Sequence, residues 1–163
     1  MALNKLTLPS ILVNSYMSAL VTVSESVGLT AEFVKPEMAP GVKAPGSRVA
    51  AFIGIVGGIA RCTASLMADM DSFEAYVGAF TGGIIKADPD DSMSMSVLGE
   101  MTNMISGRAL IMADISGLDI TPPQLVSGEN IKLSPTVKSN VKSFTLPFTV
   151  GKGRVFLILS VYG

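Results

Sequence analysis

The chain has no histidine, a single cysteine and no long apolar run, and its charge is almost balanced, with 12 basic and 13 acidic side chains in 163 residues. The missing imidazole excludes a Ser-His-Asp or Cys-His nucleophilic centre, a phosphohistidine intermediate and a histidine-ligated metal site. Any chemistry must therefore come from carboxylates, amides, hydroxyls or lysines. Cys62 cannot form an intrachain disulfide; it fits a reducing compartment and reads as a small buried hydrophobe in a strand. A net charge of −1 leaves no basic footprint for nucleic acid. The apolar stretch from Val49 to Ala60 stops at Arg61, short of the roughly 20 residues that cross a bilayer. Near Lys5, the residues Asn14, Ser15 and Ser18 break up the apolar stretch before a signal-peptide core can form. These absences point to a cytoplasmic chain with no membrane insertion. With 48% apolar residues, the chain reads as one domain over 1–163 with a substantial core.

Periodicity divides the chain into elements. Leu12, Tyr16, Leu20, Val23 and Val27 recur at helical spacing after Pro9-Ser10, which suits a cap, and Gly28 ends that helix. Thr30 to Lys35 reads as a short strand, and the prolines and glycines from Pro36 to Gly46 mark an irregular connection, the best candidate for a mobile loop. Ser47 to Val56 and Ile59 to Met67 read as a hairpin turning at Gly57-Gly58. A phosphate cradle there lacks the Lys-Ser/Thr that a P-loop requires. Asp71-Ser-Phe-Glu74 has the spacing of a capping box and opens a helix that ends at Gly82-Gly83. Pro122 to Gly128 is a short strand. Phe144, Leu146, Phe148 and Val150 alternate before Gly151-Lys-Gly153 turns the chain into a second long strand, Val155 to Tyr162. Pro147 cannot donate to a ladder, which predicts an edge or a bulge, and an edge is one place where a dimer could pair.

The segment from Asp88 to Leu110 carries the most information. Val97, Leu98, Met101, Met104, Ile105, Ala109 and Met112 fall three or four residues apart, so they share one side of a helix that closes near Gly117. Asp90, Asp91 and Ser92 supply acceptors for its first turn. Beside the apolar stripe run Ser96, Glu100, Asn103 and Gly107, which places a carboxylate and a carboxamide one turn apart. Gly107 in a helix interior costs roughly 1 kcal/mol against alanine, so the helix must be approached closely there, by another element or by a partner. Met101, Met104 and Met112 read as core; Met93 and Met95 could belong to an adaptable binding surface.

The string Leu98-Gly-Glu-Met-Thr-Asn-Met-Ile-Ser-Gly-Arg-Ala109 resembles the signature helix of the CheX/CheC/FliY family of response-regulator phosphatases, Glu-x-x-Asn followed by an apolar pair, a small residue and glycine. The order of elements is also similar to that family's CheC-like fold, an α+β arrangement of a mainly antiparallel β-sheet with helices packed on one face. Two-site members repeat the motif on their other long helix; here the first helix offers only Glu25-Ser-Val-Gly28, which favours the single-site, CheX-like branch.

The resemblance implies a phosphatase for the aspartyl phosphate of a CheY-like receiver domain. Asn103 would orient the attacking water and Glu100 would pair with a receiver lysine. Ser96, Ser106 and Gly107 would be partner-binding positions. Arg108 stands where relatives often carry Asn, and its phase toward the apolar side suggests a structural or ion-pair role. The chain would hold no metal or cofactor of its own, with Mg2+ supplied by the phosphorylated partner, and homodimers through the sheet would be expected. Two other readings use the same helix: a module that binds a receiver or motor component without hydrolysis, and a dimerisation domain with a decayed site.

Overall fold

The computed structural model describes residues 7–57, 61–133 and 141–162. The spaced apolar residues near the N-terminus form helix α1, Leu8–Ser26, with Leu12, Tyr16, Ala19, Leu20 and Val23 buried. Its cap is Thr7, whose hydroxyl meets that of Ser10 at 3.0 Å. Strand β1, Ala31–Phe33, leads through a 3-10 turn, Lys35–Glu37, to the two-residue strand β2, Ala39–Pro40. Strands β3, Val49–Val56, and β4, Arg61–Ala68, pair antiparallel with Ile55 opposite Cys62. Gly58 of the expected turn and Ile59, the expected start of the second strand, lie outside the described residues. Helix α2, Met70–Thr81, precedes the 22-residue helix α3, Ser92–Ala113. Strands β5, Asp119–Ile120, β6, Gln124–Ser127, β7, Val141–Val150, and β8, Gly153–Tyr162, complete the described chain.

Among the described residues, all strand pairings are antiparallel, in the order β1-β7-β8-β4-β3-β5; β2 lies beside β1 on β7 and β6 beside β5 on β3. Alternation decides which side chains meet the helices. Ala64 and Leu66 of β4, Leu146 and Phe148 of β7, and Val155 and Leu157 of β8 join the buried faces of the three helices in the main core. The intervening residues Ala50, Met67, Phe156 and Ile158 form a second cluster on the opposite face, covered by Val42, Ala44, Ile131 and Leu133. The α+β expectation is thereby met, with all three helices on one face of the sheet.

Pro147 sits in a strand that has neighbours on both sides. Its missing N–H faces the place where the outer strand is interrupted: Phe33 pairs with Phe148 and Ala39 with Thr145, and between them the Pro147 carbonyl accepts from Val34 N at 2.9 Å. The proline fits because the 3-10 turn removes the partner there.

The Pro36–Gly46 connection, expected to be mobile, is fastened to β7. Gly41 N donates to Ser143 O at 2.8 Å, Lys43 N to Thr145 Oγ1 at 3.1 Å, and Thr145 Oγ1 to Gly41 O at 2.6 Å. Arg154 pairs with Glu37 across the same region.

The start of α2 also differs from expectation. Its cap is Asp69, two residues before the anticipated Asp71, and Asp69 Oδ1 accepts from Ser72 N at 2.9 Å. The other carboxylate oxygen accepts from Arg154 N at 2.9 Å, so one aspartate caps the helix and ties it to β8. The two elements approach so closely that a Cβ on Gly153 would lie 2.2 Å from Ser72 N. Gly153 is therefore required by contact, whereas Gly151, with φ of 58°, meets the demand of the turn.

Candidate functional site

The first turn of α3 is built by three aspartate and serine side chains. Asp91 Oδ1 accepts from Met93 N at 3.3 Å, Asp88 Oδ1 accepts from Asp90 N at 2.9 Å, and Ser94 Oγ accepts from Asp88 N at 2.8 Å. The helix ends at Ala113, earlier than the expected Gly117, because Asp114 adopts the left-handed conformation, with φ of 51°.

The buried side of α3 is broader than its apolar residues and rotated away from them. Met95, Val97, Leu98, Met101, Ile105 and Ala109 are buried, and so are Ser94, Gly99, Thr102 and Ser106. Thr102 can go inside because its hydroxyl donates to the Leu98 carbonyl at 2.7 Å. Gly99 is covered by β6: a Cβ there would stand 3.3 Å from Leu125 and 3.4 Å from Pro123.

That rotation corrects three expectations. Ser106 is fully buried, so it cannot be a partner-binding residue. Its hydroxyl faces that of Tyr16 in the core without closing a hydrogen bond of ordinary geometry. Burial drives the Tyr16 phenol well above its usual range, an effect that Ser106 only partly opposes. Met104 and Met112, expected in the core, are 38% and 47% exposed, whereas Met95 is buried. Arg108, expected to lean toward the apolar side, is exposed and forms no ion pair among the described residues.

The polar stripe lies where the sequence places it. Ser96 and Glu100 are exposed, Asn103 and Gly107 are partly exposed. Residues three and four apart on a helix lie about 5–6 Å from one another at Cβ, so Glu100 and Asn103 project side by side. Among the described residues neither forms a side-chain hydrogen bond or an ion pair; Ser96 donates back to the Met93 carbonyl at 2.6 Å. A Cβ on Gly107 would meet nothing within 4 Å among the described residues, so no described element explains the glycine. Cavities of about 310, 530 and 470 Å3 open on the other face of the sheet, and none is lined by Glu100 or Asn103.

A carboxylate and a carboxamide offered from an open helix face, away from the described cavities, suit contact with another macromolecule better than a small molecule held in a cleft. Comparison with known proteins agrees. Residues 49–149 match the family model described as chemotaxis phosphatase CheX. The CheY-P phosphatase CheX of Thermotoga maritima is 33% identical over 116 residues, covering 69% of this chain and 72% of that protein. The chain belongs to the CheX family.

Solved structures share its fold. A CheC-like superfamily protein from Shewanella sp. PV-4, 19% identical, aligns over 97% of this chain and 100% of its own with a TM-score of 0.79. A chain of the CheX–CheY–BeF3–Mg2+ complex from Borrelia burgdorferi, 20% identical, aligns over 93% of this chain and 97% of its own with a TM-score of 0.70.

Cys62 is buried as expected, and burial pushes its thiol pKa up, which suits a packed side chain and not a nucleophile. No described helix is long and apolar enough to cross a membrane.

Proposed function

We propose that this chain hydrolyses the aspartyl phosphate of a CheY-like receiver domain, with Asn103 orienting the attacking water and Glu100 pairing with a receiver lysine. The observation that carries the reading is the free, side-by-side projection of Glu100 and Asn103 from α3, in a chain whose family and curated relative are chemotaxis phosphatases. An acyl phosphate is already a good electrophile, so the enzyme needs position more than a strong base. The water oxygen bonds to phosphorus and the bond from phosphorus to the aspartyl oxygen breaks. The carboxylate leaves, inorganic phosphate forms, and the water's proton passes to phosphate or solvent. The amide of Asn103 stays neutral throughout; its oxygen accepts from the water and its NH2 donates to an acceptor. Glu100 sets the register by pairing with a cation beside the phosphoryl group. Mg2+ enters with the receiver and offsets charge on the transferring phosphoryl oxygens. Ser96 and Gly107 belong to the contact surface, and Gly107 lets the partner approach the helix backbone. A cytoplasmic location and a homodimer are part of the same reading.

The test is phosphate release from Mg2+-bound, phosphorylated receivers of the same organism. Wild type should accelerate release, Asn103→Ala should lower the limiting rate by about 10²-fold while binding persists, and Glu100→Ala should raise the half-saturating receiver concentration. Binding of the receiver without acceleration would instead establish a non-catalytic interaction module.

A further inference from the structure

The polar pair is framed by apolar side chains that none of the described residues covers. Along α3, Met93, Glu100, Met104, Gly107 and Ile111 fall on one outward stripe, at steps of four and seven residues or close to them. Met93 is 63% exposed, Met104 38% and Ile111 80%. On the Asn103 side the frame comes from another element: Leu125 of β6, itself 38% exposed, is seated against Gly99, with Pro123 beside it. Leaving these side chains in water is unfavourable by about 25 cal/mol for each Å2 of apolar surface, and a partner that covers them recovers that free energy. Gly99 lies one turn before Asn103 on the same side of α3, so Leu125, seated against Gly99, stands next to the approach to Asn103, and Met104 borders it as the following residue.

From this we infer that Met93, Met104, Ile111 and Leu125 form the apolar rim of the receiver-docking surface and set which receivers are served. The inference rests on the proposed phosphatase reading. It commits to one occupant, the face of the receiver around its phosphorylated aspartate, because the rim is continuous with Glu100 and Asn103. The rim has two parts with separate tasks. The α3 residues follow the helix axis and fix how far along it the receiver seats. Leu125, carried by β6, closes the side next to the water-orienting amide and keeps bulk solvent from that edge. Interfaces of this form concentrate affinity in a few central side chains ringed by contacts that exclude water. Methionine suits the role because its unbranched chain adapts to a mobile partner surface.

The experiment compares wild type with Met104→Ser/Ile111→Ser and, separately, Leu125→Ser. It uses phosphorylated receiver for steady-state release, the same receiver loaded with BeF3– and Mg2+ for direct binding, and sedimentation for assembly state. Ile111 is 80% exposed and Met104 lies at the edge of solvent, so the urea midpoint of the double variant should hold, and Leu125→Ser, which loosens packing on Gly99, is assayed well below its own midpoint. The helix double variant should raise both the half-saturating concentration and the dissociation constant by about tenfold or more, with the limiting rate kept within about twofold. Leu125→Ser should add a fall in limiting rate. Unchanged binding and half-saturation in both variants, alongside a dead Asn103→Ala, would overturn the rim while leaving the phosphatase intact. A change in assembly state with receiver binding unaltered would make the surface a contact between copies of this chain and also overturn it. Failure of wild type to act on any receiver would instead remove the reading beneath it.

Discussion

The inner face of α3 carries Met101, Thr102, Ile105 and Ser106 against α1 and the sheet, while the outer face carries Glu100, Asn103, Met104 and Ile111 in solvent or at its edge. Two of the inner residues are hydroxylic and two of the outer ones are strongly apolar, the reverse of what burial alone would choose. The inner hydroxyl of Thr102 is tolerable because the helix's own carbonyl accepts from it. The outer methionine and isoleucine have no such compensation among the described residues. The inner face thus answers to the stability of this molecule, and the outer face to something outside it.

Substitutions on the two faces should separate accordingly. The largest effect is expected from Ile105→Ala, which removes a side chain only 1% exposed from the core; a loss of about 2–5 kcal/mol in urea unfolding should result, against about 0.5 kcal/mol or less for Asn103→Ala. Comparable losses for both would break the division.

Alkaline titration probes the inner side again. The Tyr76 phenol, hydrogen-bonded to Ser24 at 2.7 Å, is pushed up to about 12, chiefly by burial and despite the opposing Ser24 hydroxyl. Its ordinary value is 10.0, so between these values the unfolded chain holds fewer protons than the folded one. Stability should be unaffected by this group below pH 10 and should fall by up to about 1.4 kcal/mol per pH unit as pH rises toward 12. Tyr76→Phe should reduce the observed slope in pH-dependent unfolding by this group's share, with buried Tyr16 retaining its own, whereas Asn103→Ala should not change it.

The smallest effect sharpens the comparison most. Gly107→Ala adds a methyl group to open space in a helix interior, so unfolding should show a gain of about 0.5–1 kcal/mol. The same variant should raise the half-saturating receiver concentration, because the methyl occupies the approach to the helix. A more stable protein with undiminished action on receivers would show that Gly107 serves neither purpose.

Much of this architecture was legible in the residues. The alternation of β7 and β8, the glycines between them and the helical spacing in α1 all led to the elements observed. The site helix was legible in position and in its polar stripe, but its rotation was misjudged. Counting only large apolar residues placed Met104 and Met112 inside and Ser106 outside. The buried arc in fact takes in Gly99, Thr102 and Ser106, whose small size allows α1 and β6 to come close. The Asp69 cap escaped notice because its second partner, Arg154, lies 85 residues away. Pro147 was sound as a warning, though the break proved to be in its neighbour.

The sequence by itself determined the helix that bears Glu100 and Asn103, its acidic start, the two long strands and the exclusion of imidazole chemistry, since these follow from local spacing and from residue types. Only the tertiary structure decided which way α3 is turned, that Leu125 stands against Gly99 and that none of the described residues approaches Gly107. Those depend on how far helices and strands can approach one another, which is set by small side chains brought together from distant positions.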